Sequence, residues 1–346
     1  MSSPSGHRGP PSRRRQSGRA TIGAVAQAAG VSRATVSRVM NGLPTVDPEL
    51  VERVRAAAAA LGYEPDGTAQ SLALGRTGVV GIIVPDLGNP VFQAVLRGLS
   101  SAAGDRDYRV LIADSHERAE EEPILAREIR RRSDGLVLCA PRMPDEVLRQ
   151  VATVRTPVVL LNRRLDGLGV PTVSVDHAHG MRAIAGHLAG LGHRRVAYLS
   201  GPANSAANRV RLATLRTAGT GRFALHQVAG GAHFEDGHDA VERILATGAT
   251  AVVGYNDLVA YGALARLAEL GRSVPGEVSV TGFDDIPFAR YANPSLTTVA
   301  IPLEELGRQA WNRLWAHLAG EEPSPDVQFA PELVVRHSTG PAPVAR

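Results

Sequence analysis

The 346-residue chain reads as an all-α helix-turn-helix front end followed by a longer α/β region, two-lobed, with parallel doubly wound sheets. Three observations predict this. Residues 21–41 hold two short helical patterns with a glycine between them. From about residue 75 the pattern changes to short apolar strands alternating with helices, and the alternation comes in two sets that part near Asp176.

Residues 1–19 are mostly Ser, Gly, Pro and Arg, with the run Arg13-Arg14-Arg15, so a disordered basic tail is expected there. Thr21 offers a capping hydroxyl to a helix whose apolar face is Ile22, Val25, Ala26 and Ala29. Gly30 turns the chain, because glycine takes a positive φ without a Cβ penalty. Ser32 caps a second helix that directs Val36, Val39 and Met40 inward and leaves Arg33, Ala34, Ser37, Arg38 and Asn41 outward. In a third helix Asp47 caps, Pro48 takes the first position, Val51, Val54 and Leu61 form the buried stripe, and Gly62 ends it. The segment 68–74 is too short to be a stable helix alone, and Gly67 weakens it by up to about 1 kcal/mol.

The outward face of the second helix suits a duplex. Arginine bonds guanine O6 and N7 with two donors, alanine touches a thymine methyl, and small hydroxyls reach phosphates. A glycine-linked helix pair also occurs in proteins that never touch DNA. Charge favours the DNA reading: residues 1–76 carry ten arginines against five acidic residues, +5, whereas the whole chain is +4, leaving −1 for the rest.

In the α/β region, strands are expected at 79–84, 110–112, 136–138 and 158–161, with helices at 90–104, 120–132 and 145–154 between them. The second set runs helix 179–191, strand 196–199, helix 209–218, strand 225–228, helix 236–246, strand 251–253, helix 258–270 and strand 278–280. Two such lobes imply a cleft, and in open parallel sheets ligands sit beyond the carboxyl ends of the strands. Asp86, Asn89, Asn162, Arg163, Asn256, Asp257, Asp284 and Asp285 follow such ends, and their carboxylates, amides and guanidinium can exchange hydrogen bonds with sugar hydroxyls. The same residue types also shape turns, as Asp285-Ile286-Pro287 could.

Composition excludes several classes. Cys139 is the single cysteine, so there is no disulfide framework, and it ends an apolar run as a buried strand residue would. No apolar stretch approaches a membrane span and none resembles a signal peptide, which predicts a cytoplasmic protein with no membrane partner. All 38 Lys and Arg residues are arginine. His177, His179, His187 and His193 lack structural-zinc spacing, so no metal is expected. Gly75, Gly78 and Gly81 precede a strand at the wrong spacing for a dinucleotide fingerprint, and neither a P-loop nor a nucleophile elbow is present. Neither a cofactor nor an enzyme is expected.

The motifs resemble the lactose/galactose-repressor (LacI/GalR) family of bacterial transcriptional regulators from about Thr21 to His337. They are the front Ala29-Gly30-Val31-Ser32, Thr35-Val36-Ser37-Arg38-Val39 and Asn41, then Tyr63 and Pro65, Asn89-Pro90, Leu191-Gly192-His193-Arg194-Arg195, Asn256-Asp257, and Gly282-Phe283-Asp284-Asp285-Ile286-Pro287 with Leu296-Thr297-Thr298-Val299 behind it. The resemblance implies a helix-turn-helix DNA-binding domain at 20–63, a hinge at 64–76 that folds into a helix on operator DNA, a periplasmic-binding-protein-like effector and dimerisation domain at 77–340, and a tail at 341–346. A marginal helix whose ordering is offset by DNA, and an apolar wedge that opens a base step, are physically consistent with that hinge.

By resemblance the DNA-contacting residues are Thr21, Ser32, Arg33, Ala34, Thr35, Ser37, Arg38 and Asn41, with Leu72 wedged into the minor groove. Phe92, Arg211, Asn256 and Asp284 are implied to hold the effector, with Asn89 and Asn162 as further candidates. The loop 230–237 is one residue short, so either His233 or Phe234 is expected as the aromatic wall of the second lobe. Asp176 reads as structural. Ser205 and Ala207 stand where a purine-responsive relative carries base-reading polar groups, which favours a sugar. The expected function is a repressor that binds a palindromic operator as a homodimer, controlled allosterically by a sugar in the cleft. The alternatives are a small-molecule module that does not act on DNA and a regulator with a nucleobase corepressor.

Overall fold

Among the described residues of the front unit there are three helices, and their caps are those the sequence offers. The computed structural model describes residues 20–40, 46–63, 76–153, 156–322 and 325–344, and the chain divides into two units between Thr77 and Gly78. Helix α1 (Ile22–Ala29) starts at Thr21, whose hydroxyl accepts the Ala24 amide at 3.3 Å, and ends on Gly30 at φ 63°. Helix α2 (Arg33–Met40) starts at Ser32, whose Oγ accepts the Thr35 amide at 3.0 Å. Helix α3 (Pro48–Leu61) starts at Asp47, which accepts the Glu49 amide at 2.8 Å. Val25, Val36 and Val54 are fully buried where the three meet. Arg53 donates to the Ala29 carbonyl at 2.6 Å, satisfying an acceptor that the end of α1 leaves open.

One core assignment changes. Ala58 is buried in α3, whereas Leu61, expected in the stripe, is 42% exposed. The chain reverses at Gly62 and Tyr63 packs back on the core, leaving Leu61 on the outer side of the last turn.

The second unit contains two parallel sheets. The first orders its strands β11-β5-β4-β3-β1-β2: β1 (Val79–Val84), β2 (Arg109–Asp114), β3 (Gly135–Cys139), β4 (Val158–Leu161), β5 (Thr172–Val175) and β11 (Val327–Phe329). Helices α4 (Pro90–Gly104), α5 (Glu122–Arg130), α6 (Asp145–Ala152) and α12 (Leu303–Ala319) pack with it as the first lobe. The second sheet, ordered β7-β6-β8-β9, holds β6 (Arg195–Ser200), β7 (Ala224–Ala229), β8 (Ala251–Gly254) and β9 (Ser279–Thr281). Its helices are α7 (His177–Gly190), α8 (Ala206–Gly219), α9 (Phe234–His238), α10 (Val241–Ala246) and α11 (Asp257–Glu269). Central strands are buried along their length because helices cover both faces, hence the unbroken apolar runs. In each sheet the first strand lies between the next two, β1 between β2 and β3, β6 between β7 and β8, which is the strand-order reversal that opens a crevice at the carboxyl ends.

The expected strands and helices of both sets are present, with helix 236–246 divided into α9 and α10. The additions lie mostly near the C-terminus: β5, β11, the antiparallel pair β10 (Thr298–Ala300) and β12 (Glu332–Val334), and α12. Helix α12 returns to the first lobe and crosses α4 backbone to backbone. A Cβ on Gly98 would lie 1.8 Å from the Glu304 carbonyl oxygen, and one on Gly307 would lie 2.0 Å from that of Val95. Trp311 of α12 is 1% exposed and packs on Tyr108 and Trp315. The chain therefore passes between the lobes three times, after β5, after β10 and after β11. The crossings run side by side, since β5 pairs with β11 and β10 with β12.

The Leu191-Gly192-His193 motif is structural. Fully buried His193 meets Thr250 Oγ1 at 2.8 Å, and Ser279 Oγ and the Gly340 carbonyl at 3.1 Å each, tying three segments together. Burial pushes its pKa below the ordinary 6.5. Folding thus favours the neutral ring, so its contribution is whole above about pH 6.5 and is lost as pH falls through the folded value. Carboxyl groups buried elsewhere titrate in the opposite sense, so the measurement is comparative. The destabilisation caused by His193→Gln, read by urea unfolding, should shrink between pH 7.5 and 5.5; a constant difference would contradict this.

Candidate functional site

On α2, Arg33, Ala34 and Arg38 are exposed and Thr35 and Ser37 half-buried, as the helical spacing requires. Thr21 and Ser32 serve as caps, and Ser32 Oγ also meets Thr35 Oγ1 at 2.9 Å, so their first role is to hold helix starts. The Arg33 guanidinium lies against the first turn of α1, 3.0 Å from where a Cβ on Gly23 would stand. Asn41, Leu72 and the hinge 68–74 lie outside the described residues. Loss of one bidentate base contact costs about 1–3 kcal/mol. Arg33→Ala should therefore weaken binding to a selected site and flatten the penalty for changing one base pair per half-site; an unchanged penalty would remove Arg33 from base readout.

In the second unit a narrow cavity of about 40 Å³ lies at the carboxyl ends of the strands, its walls standing close. Every strand from β1 to β10 sends a residue to it: Asn89 and Phe92 beyond β1, Glu117 beyond β2, Arg142 beyond β3, Asn162 beyond β4, His177 beyond β5, Arg211 beyond β6, Ala232 beyond β7, Tyr255 and Asn256 beyond β8, Asp284 beyond β9 and Ile301 beyond β10. Six of the sequence-derived candidates, Phe92, Arg211, Asn256, Asp284, Asn89 and Asn162, are thus brought together.

Arg211 is the most constrained of them. It is 4% exposed, donates to the Tyr255 carbonyl, lies 3.5 Å from Asp284 Oδ1 and stacks 3.6 Å from the centre of the Phe283 ring. Asp284 sits at φ 120°, held there by its amide donating to the Val299 carbonyl at 2.8 Å. Burial pushes its carboxyl up to about 7, against the pull of the Arg211 charge. Its neighbours have other duties. Asp257 is fully buried and accepts the Ile286 amide at 2.9 Å and the Thr298 hydroxyl at 2.5 Å, while Asp285 pairs with Arg336 at 2.7 Å. Asn256 caps α11 through the Val259 amide at 2.9 Å and donates to the Ala232 carbonyl at 2.8 Å, and Asn89 caps α4 through the Val91 amide at 3.0 Å. Each amide keeps an N–H beyond its cap. Arg163 is buried on the Pro141 carbonyl and Asp145, and Asp176 caps α7, both structural.

His233 and Phe234 are not part of the cavity wall. A capping box between His233 and Asp236 starts α9 at this point and turns Phe234 away. Phe234 lines an outer apolar groove with Leu258, Tyr261, Leu264, Phe288 and Tyr291, the last two 61% and 78% exposed. His233 stays half-exposed, with Nε2 3.7 Å from Asp86 of the other lobe. Tyr255, whose hydroxyl meets Ser205 Oγ at 2.9 Å, provides the aromatic wall instead. Glu117, Arg142 and His177 were not among the sequence candidates; the rule of strand ends applied to β2 and β3 would have reached Glu117 and Arg142, whereas His177 follows β5, a strand the sequence pattern did not predict. Glu117 and Arg142 form a two-pronged ion pair at 2.6 and 2.9 Å.

Residues 21–66 match the model of bacterial regulatory proteins of the lacI family, and residues 185–339 that of a periplasmic binding protein-like domain. The chain is 35% identical over 331 residues to the HTH-type transcriptional regulator GalR of Escherichia coli (strain K12), covering 92% of this chain and 95% of GalR. It is 30% identical over 338 residues to the HTH-type transcriptional repressor CytR of the same organism, covering 95% of this chain and 99% of CytR. Among solved structures it is similar to the lac repressor dimer bound to operator and the anti-inducer ONPF, with a TM-score of 0.84, 27% identity, and coverage of 93% of this chain and 100% of that one.

Proposed function

The chain belongs to the lacI family of bacterial regulatory proteins, and from that premise we propose that it represses transcription as a homodimer on a palindromic operator, under the control of a sugar held between its lobes. The observation that carries this reading is the pairing, in one chain, of an outward Arg33, Ala34 and Arg38 face with a cleft whose floor is the buried Arg211–Asp284 pair.

Residues 20–63 are assigned to DNA, with Thr21, Ser32, Arg33, Ala34, Thr35, Ser37 and Arg38 from α1 and α2, and Asn41 and Leu72 beyond them. Phe92, Arg211, Asn256, Asp284, Asn89 and Asn162 are assigned to the effector. Ser205 Oγ is engaged with the Asn208 amide and Tyr255, and Ala207 offers no polar atom, so this wall favours a sugar over a nucleobase. The outer groove around Tyr291 is the face assigned to the second copy, since an exposed apolar patch of this kind marks an interaction surface. Two copies place two recognition helices on two half-sites, which a palindrome requires. No catalytic step is assigned to the cleft, where Glu117 is paired with Arg142. No helix among the described residues is long and apolar enough to cross a membrane, and we place the protein in the cytoplasm with its operator.

Control follows from linkage. An effector that binds better to one arrangement of the lobes shifts the population toward it, and the factor by which it changes operator affinity equals the factor by which operator DNA changes effector affinity. The test is selection of DNA from random sequence, followed by fluorescence anisotropy at two salt concentrations with sugars, polyols and purines added. The expected result is a palindromic site whose binding weakens with salt and is released or tightened by one sugar. Selection that never rises above non-specific binding would instead favour a small-molecule module.

A further inference from the structure

Three buried polar atoms of the cleft have no hydrogen-bond partner among the described residues: Asn162 Oδ1, His177 Nε2 and Arg211 Nε. Their residues line one cavity but come from three separate segments, after β4, at the start of α7 and within α8. The polar groups around them are engaged, Glu117 with Arg142 and Tyr255 with Ser205. A buried polar atom without a partner costs stability, and native proteins keep few of them. Three such atoms on residues that line one cavity are placed where a bound ligand could satisfy them.

The neighbour of His177 fixes what its ring can do. Arg211 Nη2 can only donate, and it lies 3.4 Å from His177 Nδ1, so Nδ1 accepts and the ring proton resides on Nε2. Burial and the Arg211 charge both hold the ring neutral. The 7%-exposed His177 thus keeps one N–H donor for the cavity that it lines.

We propose that His177 is a ligand-reading residue, its Nε2–H and the Arg211 Nε–H donating to oxygens of a neutral polyhydroxylated ligand while Asn162 Oδ1 accepts a hydroxyl of the same molecule. The proposal rests on the effector reading above and deepens it. Two donors and one acceptor match a run of hydroxyls, each of which both gives and takes a hydrogen bond. A cation would meet the Arg211 charge, and an anion would compete with Asp284 for it.

The test uses the full-length protein and His177→Phe, which keeps a ring against Phe283, now 5.6 Å centre to centre, and removes the donor. Without added compound, its melting temperature should stay close to that of the wild type, because loss of the Nδ1 acceptor for Arg211 Nη2, a long contact at 3.4 Å, is offset by removal of the Nε2 donor that has no partner. A structural role for His177 predicts a clear fall, and that result would overturn the proposal. D-Ribose, D-galactose, D-glucose and D-mannitol are then titrated against both proteins by thermal shift and operator anisotropy. A compound that binds the wild type should bind His177→Phe at least about tenfold more weakly, and His177→Gln, which restores an N–H, should recover part of the loss. Equal affinity for the wild type and His177→Phe would remove His177 from recognition. If none of the compounds moves the wild type, the sugar reading fails instead, a failure distinct from that of His177, on which the melting comparison still decides.

Discussion

Arg211→Ala should abolish the response to every effector while the protein still binds its operator, and it should destabilise the second unit by about 3 kcal/mol. The side chain is 4% exposed, and its removal leaves the Tyr255 carbonyl without its donor and Asp284 without its cation. Breaking a buried pair from one side costs about 3–5 kcal/mol, because the remaining charge stays desolvated. The lower end applies here. Burial already brings the Asp284 carboxyl to about 7, so near neutrality it can take up a proton once Arg211 is gone. Arg211→Lys keeps the charge but not the flat fork over the Phe283 ring, and should recover part of the stability and little of the response. Urea unfolding and operator anisotropy with the responding compound read the two effects separately. An Arg211→Ala protein that still responded would show that the cleft is misassigned.

Gly98→Ala should destabilise the first lobe by about 3 kcal/mol or more, against the usual direction for this substitution. In an ordinary helix interior, alanine in place of glycine gains about 1 kcal/mol. Here the added carbon would stand 1.8 Å from the Glu304 carbonyl oxygen, and a backbone atom cannot rotate aside. The overlap is relieved only if α12 moves off α4, and Trp311 moves with it. Both tryptophans of the chain, Trp311 and Trp315, lie on α12, so intrinsic fluorescence reports its docking directly. A red-shifted native emission together with a lower unfolding midpoint is the expected result, and unchanged emission with a raised midpoint would show that helix propensity wins.

The contrast between the legible and illegible parts of the fold follows from where the determining interactions lie. Thr21, Gly30 and Ser32 act on their own turns, so the front helices could be read residue by residue. Strands such as Val79–Val84 are continuous apolar runs because both faces are covered, a signal also contained in the segment itself. Strands β10, β11 and β12 are three residues each and exist only because distant partners meet them. Helix α12 is legible in its own segment, since Leu303, Leu306, Ala310, Trp311 and Leu314 keep helical spacing, but nothing local shows that it returns to the first lobe.

The site divides in the same way. Arg211 and Asp284 came from family resemblance, and the strand-end rule independently marks the rim they occupy. Phe234 was misplaced because the direction of a side chain at a helix start depends on which residue caps it, and the His233–Asp236 box decides that. His177 opens α7, two residues before the helix expected from the sequence. Its second role comes from Arg211, 34 positions away, and no local pattern carries that information.

The three side-by-side crossings make the lobes inseparable in a genetic sense. A chain stopped after β10 would contain every strand of the first sheet up to β5, yet lack α12 and the edge strand β11. The first lobe is therefore among the earliest parts of the second unit to be translated and among the last to be completed. A stop codon between β10 and β11 would leave it incomplete, and neither lobe can be excised by a single cut.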